Sequence, residues 1–195
     1  MNACKHGLTG RVHIQPGKER EVYDTHCTGV HKSLAPGNEF EIGLTQQIAD
    51  DQWRLQRAFG YEQAILADAV SQIGELHEHE EIDMALSYGR AWAKEAKNFN
   101  LLTLYERRIQ NNMERNLKLL RESQAARRAE LEKAAEHALH LEAYARRKGE
   151  PFNIEKDFPL EFVPPQFVFS VTEIARLAEV LRYAARPIPP RARAA

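Results

Sequence analysis

Apolar side chains recur every three or four residues through most of this chain, which predicts a series of helices, each with one buried face. Val22, Tyr23, Cys27, Val30 and then Leu34 mark a first, short helix from Lys18 to Ser33, ended by Pro36-Gly37. Asn38-Glu39-Phe40-Glu41 has the form of a capping box, with Asn38 accepting from first-turn amides and Glu41 reaching back, so a long helix should start there. Phe40, Leu44, Ile48, Leu55, Phe59, Leu66, Ala69 and Ile73 fall on one stripe of it, which predicts burial of that face to about Gly74. Asp51 and Glu62 project from the same stripe, whereas Trp53 lies almost opposite, beside Ala64 and near Tyr61. The large apolar area of that tryptophan predicts a second contact surface on the helix.

The acidic segment from Glu75 to Asp83 leads into a further helix carrying Met84, Tyr88, Trp92 and Ala96 at four-residue spacing, and Asn98 or Asn100 is expected to cap the next. That next stretch, Asn98 to Lys148, contains no proline or glycine, and as one helix it would run roughly 75 Å at 1.5 Å per residue. Leu102, Tyr105, Ile109, Met113, Leu117 and Leu120 form its seam, which Leu131, Ala134, Ala138, Leu141 and Ala145 continue. Between the two runs the seam is polar, at Ser123, Gln124 and Arg127, so the helix either bends there or leaves the core. From Gly149 to Phe169, Pro151, Pro159, Pro164 and Pro165 with several phenylalanines suit an extended strap over a helical surface. Ser170-Val171-Thr172-Glu173 is a second capping box, opening a helix with Ile174, Leu177, Leu181 and Ala185 on one side.

The fold expected from this pattern is all-α, an elongated helical hairpin or bundle with one very long helix, an irregular N-terminal arm and a proline-rich strap before a C-terminal helix. The segments are 1–37, an arm with a short helix; 38–148, the long-helix bundle; 149–186, the strap and C-terminal helix packed on it; and 187–195, a disordered tail. Arg127 in the seam is expected to meet Asp51 or Glu62 and fix register between the two long helices, the alternative being an arginine beyond the core edge. The seam beyond Leu131 can outrun the partners available in one chain, so self-association through the long helix is expected.

Charge narrows the function classes. The formal net charge is −1, from 27 basic and 28 acidic residues, which gives no global attraction to nucleic acid or an anionic membrane. Locally, residues 41–100 carry 5 basic and 11 acidic groups while 101–148 carry 11 and 7, so any anionic partner belongs on the second segment. Arg115, Arg121, Arg128, Arg146, Arg147 and Lys148 of the long helix are the candidate phosphate contacts there, although Glu114, Glu122, Glu132 and Glu136 are interspersed with them. Two cysteines do not make a secreted disulfide framework, and no apolar run could span a bilayer, so the chain reads as cytoplasmic with no membrane partner.

Signatures of chemistry are weak. Cys4, His6, His26, Cys27 and His31 could in principle hold zinc, but their spacing is not that of a zinc knuckle. His77-Glu78-His79-Glu80-Glu81 is equally an acidic, solvated helix start, and His137 and His140 with Glu136 match no di-iron or His-Glu-x-x-His pattern. There is no nucleophile elbow, phosphate loop or dinucleotide fingerprint. The expectation is a non-enzyme with no catalytic residue, metal or cofactor.

The opening Asn2-Ala3-Cys4-Lys5-His6-Gly7-Leu8-Thr9-Gly10-Arg11 resembles the motif Asn-Ala-x-Lys-His-Gly-Leu-Thr-Ala/Gly-Arg of an uncharacterised bacterial protein family. Leu34-Ala35-Pro36, the helix around Gln52-Trp53-Arg54-Leu55, and Leu104-Tyr105-Glu106-Arg107-Arg108 extend the resemblance over most of residues 2–130. The resemblance implies no established activity. Members of that family usually carry a short basic tract before the motif, similar to the modules appended to DNA-binding proteins, whereas this chain starts at Met1 where such a tract would end. On that resemblance Lys5, His6 and Arg11 are candidate nucleic-acid contacts, the remnant of a basic arm; alternatively they belong to a docking turn given backbone freedom by Gly7 and Gly10.

Two functions follow: a non-catalytic structural or protein-interaction protein whose long helix docks on a partner or on itself, or a nucleic-acid-associated accessory protein using the arm and the basic positions of the long helix.

Overall fold

The computed structural model describes residues 17–71, 80–164, 167 and 169–184, all of whose regular structure is helical. The elements are α1 (Lys18–Leu34), α2 (Glu39–Ser71), α3 (Glu80–Lys148), the short α4 (Ile154–Asp157), a 3-10 turn (Leu160–Phe162) and α5 (Val171–Ala184). The N-terminal motif, the Gly74 boundary and the chain's last residues, expected to be disordered, lie outside the described residues. The chain divides into two compact units, Met1–Arg121 and Glu122–Ala195, each with its own core.

In the first unit, α1 ends where Ala35 turns into the left-handed region (φ 44°) and returns its N–H to the His31 carbonyl at 2.9 Å, before Pro36 bars continuation. The box that opens α2 forms one residue wider than expected: Asn38 Oδ1 accepts from the Glu41 N–H at 2.8 Å, but the Glu41 carboxylate accepts from Gly37 N–H at 2.6 Å. Helix α2 then packs on two neighbours at once. Leu44 and Ile48 meet Leu120 of α3 together with Val30 and Leu34 of α1, and Ala58 meets Ile109, so α2 and α3 run antiparallel. Trp53 is buried on the opposite side against α1, where Tyr23 meets it edge-on at 5.5 Å, as its position off the main stripe predicts. Sharing α2 between two partners rotates the stripe read from the sequence: Phe40 and Phe59 are exposed, and Ala58 takes the buried place beside Ile109.

The helix expected to end before Asn98 does not end there; residues 80–148 form one helix. Asn98 caps nothing and instead donates to the Glu95 carboxylate at 2.6 Å. Phe99 is buried and stacks on Trp92 with centroids 4.6 Å apart, so apolar contact crosses the expected boundary. Asparagine without glycine or proline is a weak breaker, and side-chain packing overrides it.

In the second unit, Ala134, Ala135 and Ala138 of α3 are covered by Ile154, Phe158, Phe169, Ile174 and Ala178. The apolar run after Leu131, expected to outlast its partners within one chain, is thus buried by the strap and α5. Helix α3 stops at Gly149 (φ 74°), whose N–H bonds to the Arg146 carbonyl while Glu150 N–H reaches the Ala145 carbonyl at 3.0 Å, a Schellman closure. The Ser170 box forms as read: Ser170 Oγ accepts from the Glu173 N–H at 3.2 Å, and the Glu173 carboxylate accepts from the Ser170 N–H at 2.8 Å. The Ser170 N–H and, at 2.9 Å, the Ser170 hydroxyl both donate to that carboxylate and, with a smaller contribution from Arg127, hold the Glu173 carboxyl below its ordinary range.

Ile174 is fully buried on this alanine face. Ile174→Ala should destabilise the second unit by about 2–5 kcal/mol through lost transfer energy and a residual cavity. Hydrogen exchange of α5 amides checks it: protection should fall there and remain unchanged in α1 and α2.

Candidate interaction surfaces

The first unit holds its helices in register with buried polar groups. Asp51 accepts from Arg54 Nη1 at 2.6 Å through one oxygen and from the Asn112 side-chain amide at 2.6 Å through the other. One turn away, Asn116 donates to Gln47 at 3.2 Å. A register contact at Asp51 therefore exists, but a neutral amide of α3 and an arginine of α2 itself make it, in place of Arg127. Arg127 is half-buried in the second unit, where its charge acts on Glu173. Glu62, the other expected partner, faces Glu106: partial burial and the Glu62 carboxylate raise the Glu106 carboxyl above its ordinary range.

A second polar cluster joins α1 to α2. The Tyr23 hydroxyl donates to Asp50 at 2.6 Å, and the Gln46 amide donates to Asp50 at 2.9 Å, to the Tyr23 oxygen at 3.1 Å and toward Cys27 Sγ at 3.5 Å. Burial, then the bond to Asp50, pushes the Tyr23 hydroxyl far above the ordinary tyrosine range. His31 Nε2 lies 3.2 Å from the Gln46 carbonyl and His26 Nε2 lies 3.1 Å from the Ala49 carbonyl. His26, Cys27 and His31 thus serve helix packing, and no cluster of three metal-ligating side chains occurs among the described residues. Cys4 lies outside those residues, as do His77, Glu78 and His79. His137 packs edge-on against Phe158, and His140 is exposed. Glu19, Trp53, Gln56, Arg57, Gly60 and Tyr61 line an open groove of about 490 Å³, partly closed by an Arg57–Glu19 ion pair at 3.9 Å.

The candidate phosphate contacts do not form one group. Lys5, His6 and Arg11 lie outside the described residues. Arg115 and Arg121 are exposed in the first unit; Arg128, Arg146, Arg147 and Lys148 are exposed in the second. Arg146 pairs with Glu142 at 3.3 Å, the same carboxylate that Arg182 of α5 holds, and Lys148 sits over the Tyr144 ring at 4.6 Å. These contacts compete with phosphate for the last turn of α3.

Sequence periodicity misses the apolar surface at the start of α3. The buried side of that segment is made by Asp83, Ser87 and Ala91, while Tyr88 and Trp92, on the expected inner stripe, are exposed. A different set, Ile82 (56% exposed), Leu86 (51%), Leu101 (37%) and Leu104 (53%), is exposed along with Trp92 (56%). The signal was present as Ile82, Leu86, Gly89, Ala93 and Ala96, a run of alternating four- and three-residue steps, obscured by the larger aromatics beside it. No described helix is long and apolar enough to cross a membrane. No family profile, curated protein or solved structure matches the chain.

Two substitutions check these assignments. Asp51→Ala removes the buried carboxylate that Arg54 and Asn112 share and should cost about 3–5 kcal/mol in a denaturant titration. Glu106→Gln should act oppositely. A raised carboxyl favours folding fully below the unfolded value and loses that advantage as pH rises through the folded one. Melting at pH 7 should therefore occur at higher temperature in Glu106→Gln than in the wild type, with the gain gone near pH 4, about the unperturbed glutamate value.

Proposed function

We propose that this protein is a non-catalytic helical interaction protein, working by protein association through the exposed apolar side of α3 in the first unit. The observation that carries the reading is the concentration of Ile82, Leu86, Trp92 and Leu104 on one helical segment, each more than half exposed. Scattered single apolar residues need no explanation, whereas a run of large ones along one segment is the usual mark of a contact surface. The polar clusters support the same reading, because Tyr23, Gln46, Asp50, Asp51 and Asn112 spend their hydrogen bonds on one another and on helix packing.

The alternative, nucleic-acid association, has its support in Arg115, Arg121, Arg128 and Arg147, exposed cations that make no ion pair among the described residues. Its electrostatics would be local, since the whole chain carries a formal net charge of −1.

Co-purification of the tagged full-length chain, with and without nuclease, separates the two. Protein association predicts partners that survive nuclease and are lost on Leu86→Glu. Nucleic-acid association predicts binding to DNA or RNA that weakens steeply with salt and falls with Arg115→Ala and Arg121→Ala, while Leu86→Glu leaves it unchanged.

A further inference from the structure

We propose that the exposed apolar side of α3 between Ile82 and Arg108 docks an acidic amphipathic helix of another protein, whose carboxylates meet Arg90, Lys97 and Arg108. The inference rests on the protein-interaction reading and names the chemistry of the partner.

Position comes first. At about 100° per residue Leu86 and Leu104 share one direction on the helix, with Ile82 and Ala93 within about 40° of them on one side. Arg90, Lys97 and Arg108 lie within about 40° on the other side, so cations line one edge of the apolar stripe. Ile82, Leu86 and Leu104 are each more than half exposed.

The charge there has one sign. Arg90, Lys94, Lys97, Arg107 and Arg108 are all exposed, and none makes an ion pair among the described residues. The acids of the same stretch are engaged elsewhere: Asp83 is buried, Glu95 accepts from Asn98, and Glu106 is partly buried opposite Glu62. No acidic residue is exposed from Ile82 to Met113. The regional sum of 5 basic and 11 acidic groups over residues 41–100 conceals this, because it adds acids from α2 and the start of α3.

That combination selects the occupant. Residues flanking a helix–helix seam choose the partner by charge. A second copy paired antiparallel would bring Arg90 and Lys97 against each other, which is repulsive. A phosphate backbone would neutralise the cations but leave Ile82, Leu86 and Leu104 uncovered. A bilayer rewards apolar area along a whole face, and between Leu86 and Asn100 the stripe offers only Gly89, Ala93 and Ala96. A helix carrying leucines on its seam and glutamates beside them covers both kinds of group, and small residues let it approach closely.

Fluorescence anisotropy of labelled synthetic helices with the full-length protein tests the proposal. One peptide of about four heptads carries leucine on its seam and glutamate on its flanks; the other has lysine in place of glutamate. The glutamate helix should bind, more weakly as salt rises, and the lysine helix should not. The double variant Arg90→Glu, Lys97→Glu should melt like the wild type, raise the Kd for the glutamate helix by more than about tenfold and gain binding of the lysine helix. Leu86→Ser should weaken the glutamate helix as well. Equal binding of the two peptides, or binding indifferent to the double reversal, overturns the proposal. So does tighter binding to a mixed-sequence DNA duplex or to phosphatidylglycerol vesicles than to the glutamate helix. Absence of glutamate-helix binding overturns it too; the protein-interaction reading then stands if the chain keeps a nuclease-resistant protein partner that Leu86→Glu removes, and fails with it if the chain keeps none.

Discussion

A helix cannot bury its own apolar seam, and in this chain that constraint falls on α3, 69 residues long. Isolated helices draw little stability from propensity and most of it from what packs on them. Each unit meets the requirement with different material. In the first, α2 covers α3 at Leu120 and Ile109, and α1 covers α2 in turn. In the second, the segment after Gly149 returns along α3 and places Phe158, Phe169 and Ile174 on its alanines.

Apolar contact between two long antiparallel helices does not by itself choose a register, because a shift of one heptad presents much the same surface. The buried polar groups make that choice. Asp51 has both oxygens committed, to Arg54 and Asn112, and Asn116 meets Gln47 a turn away; any slip would strand a carboxylate inside the unit. Between α1 and α2 the Tyr23–Asp50–Gln46 cluster has the same role, with burial keeping the tyrosine in its neutral, donating form. Glu62 opposite Glu106 is the exception, a like-charged pair tolerated beside an otherwise matched contact.

The helical class, the starts at Asn38 and Ser170 and the stop after Lys148 were legible because caps and breakers act locally and leave their residue types in the chain. Trp53 announced a second face of α2 for a similar reason, since one large ring in the wrong place on a helix needs a partner. Facts that depend on which helix lies opposite were not legible. Phe40 and Phe59 read as core but are exposed once α1 and α3 divide α2 between them, and nothing in the spacing marks Asn112 as the residue opposite Asp51. Arg127 reads as a charge in a seam, yet the carboxylate its charge acts on, Glu173, comes from the C-terminal helix. The run from Ile82 to Ala96 was hidden because Gly89, Ala93 and Ala96 are small and Tyr88 and Trp92 dominate any hydrophobic average.

The alanine face of α3 in the second unit sets how that unit fails. Alanine gives up almost no side-chain freedom when buried, and in return adds little apolar area, so the large groups of this core come mostly from Phe158, Phe169 and Ile174 after Gly149. Should a protease cut the strap, or translation stop within it, most of the bulky apolar surface would leave with the severed piece. What remained of α3 there would be an alanine-rich helix with Leu131, Leu139 and Leu141 uncovered, so the second unit keeps its core only while the chain beyond Gly149 stays attached.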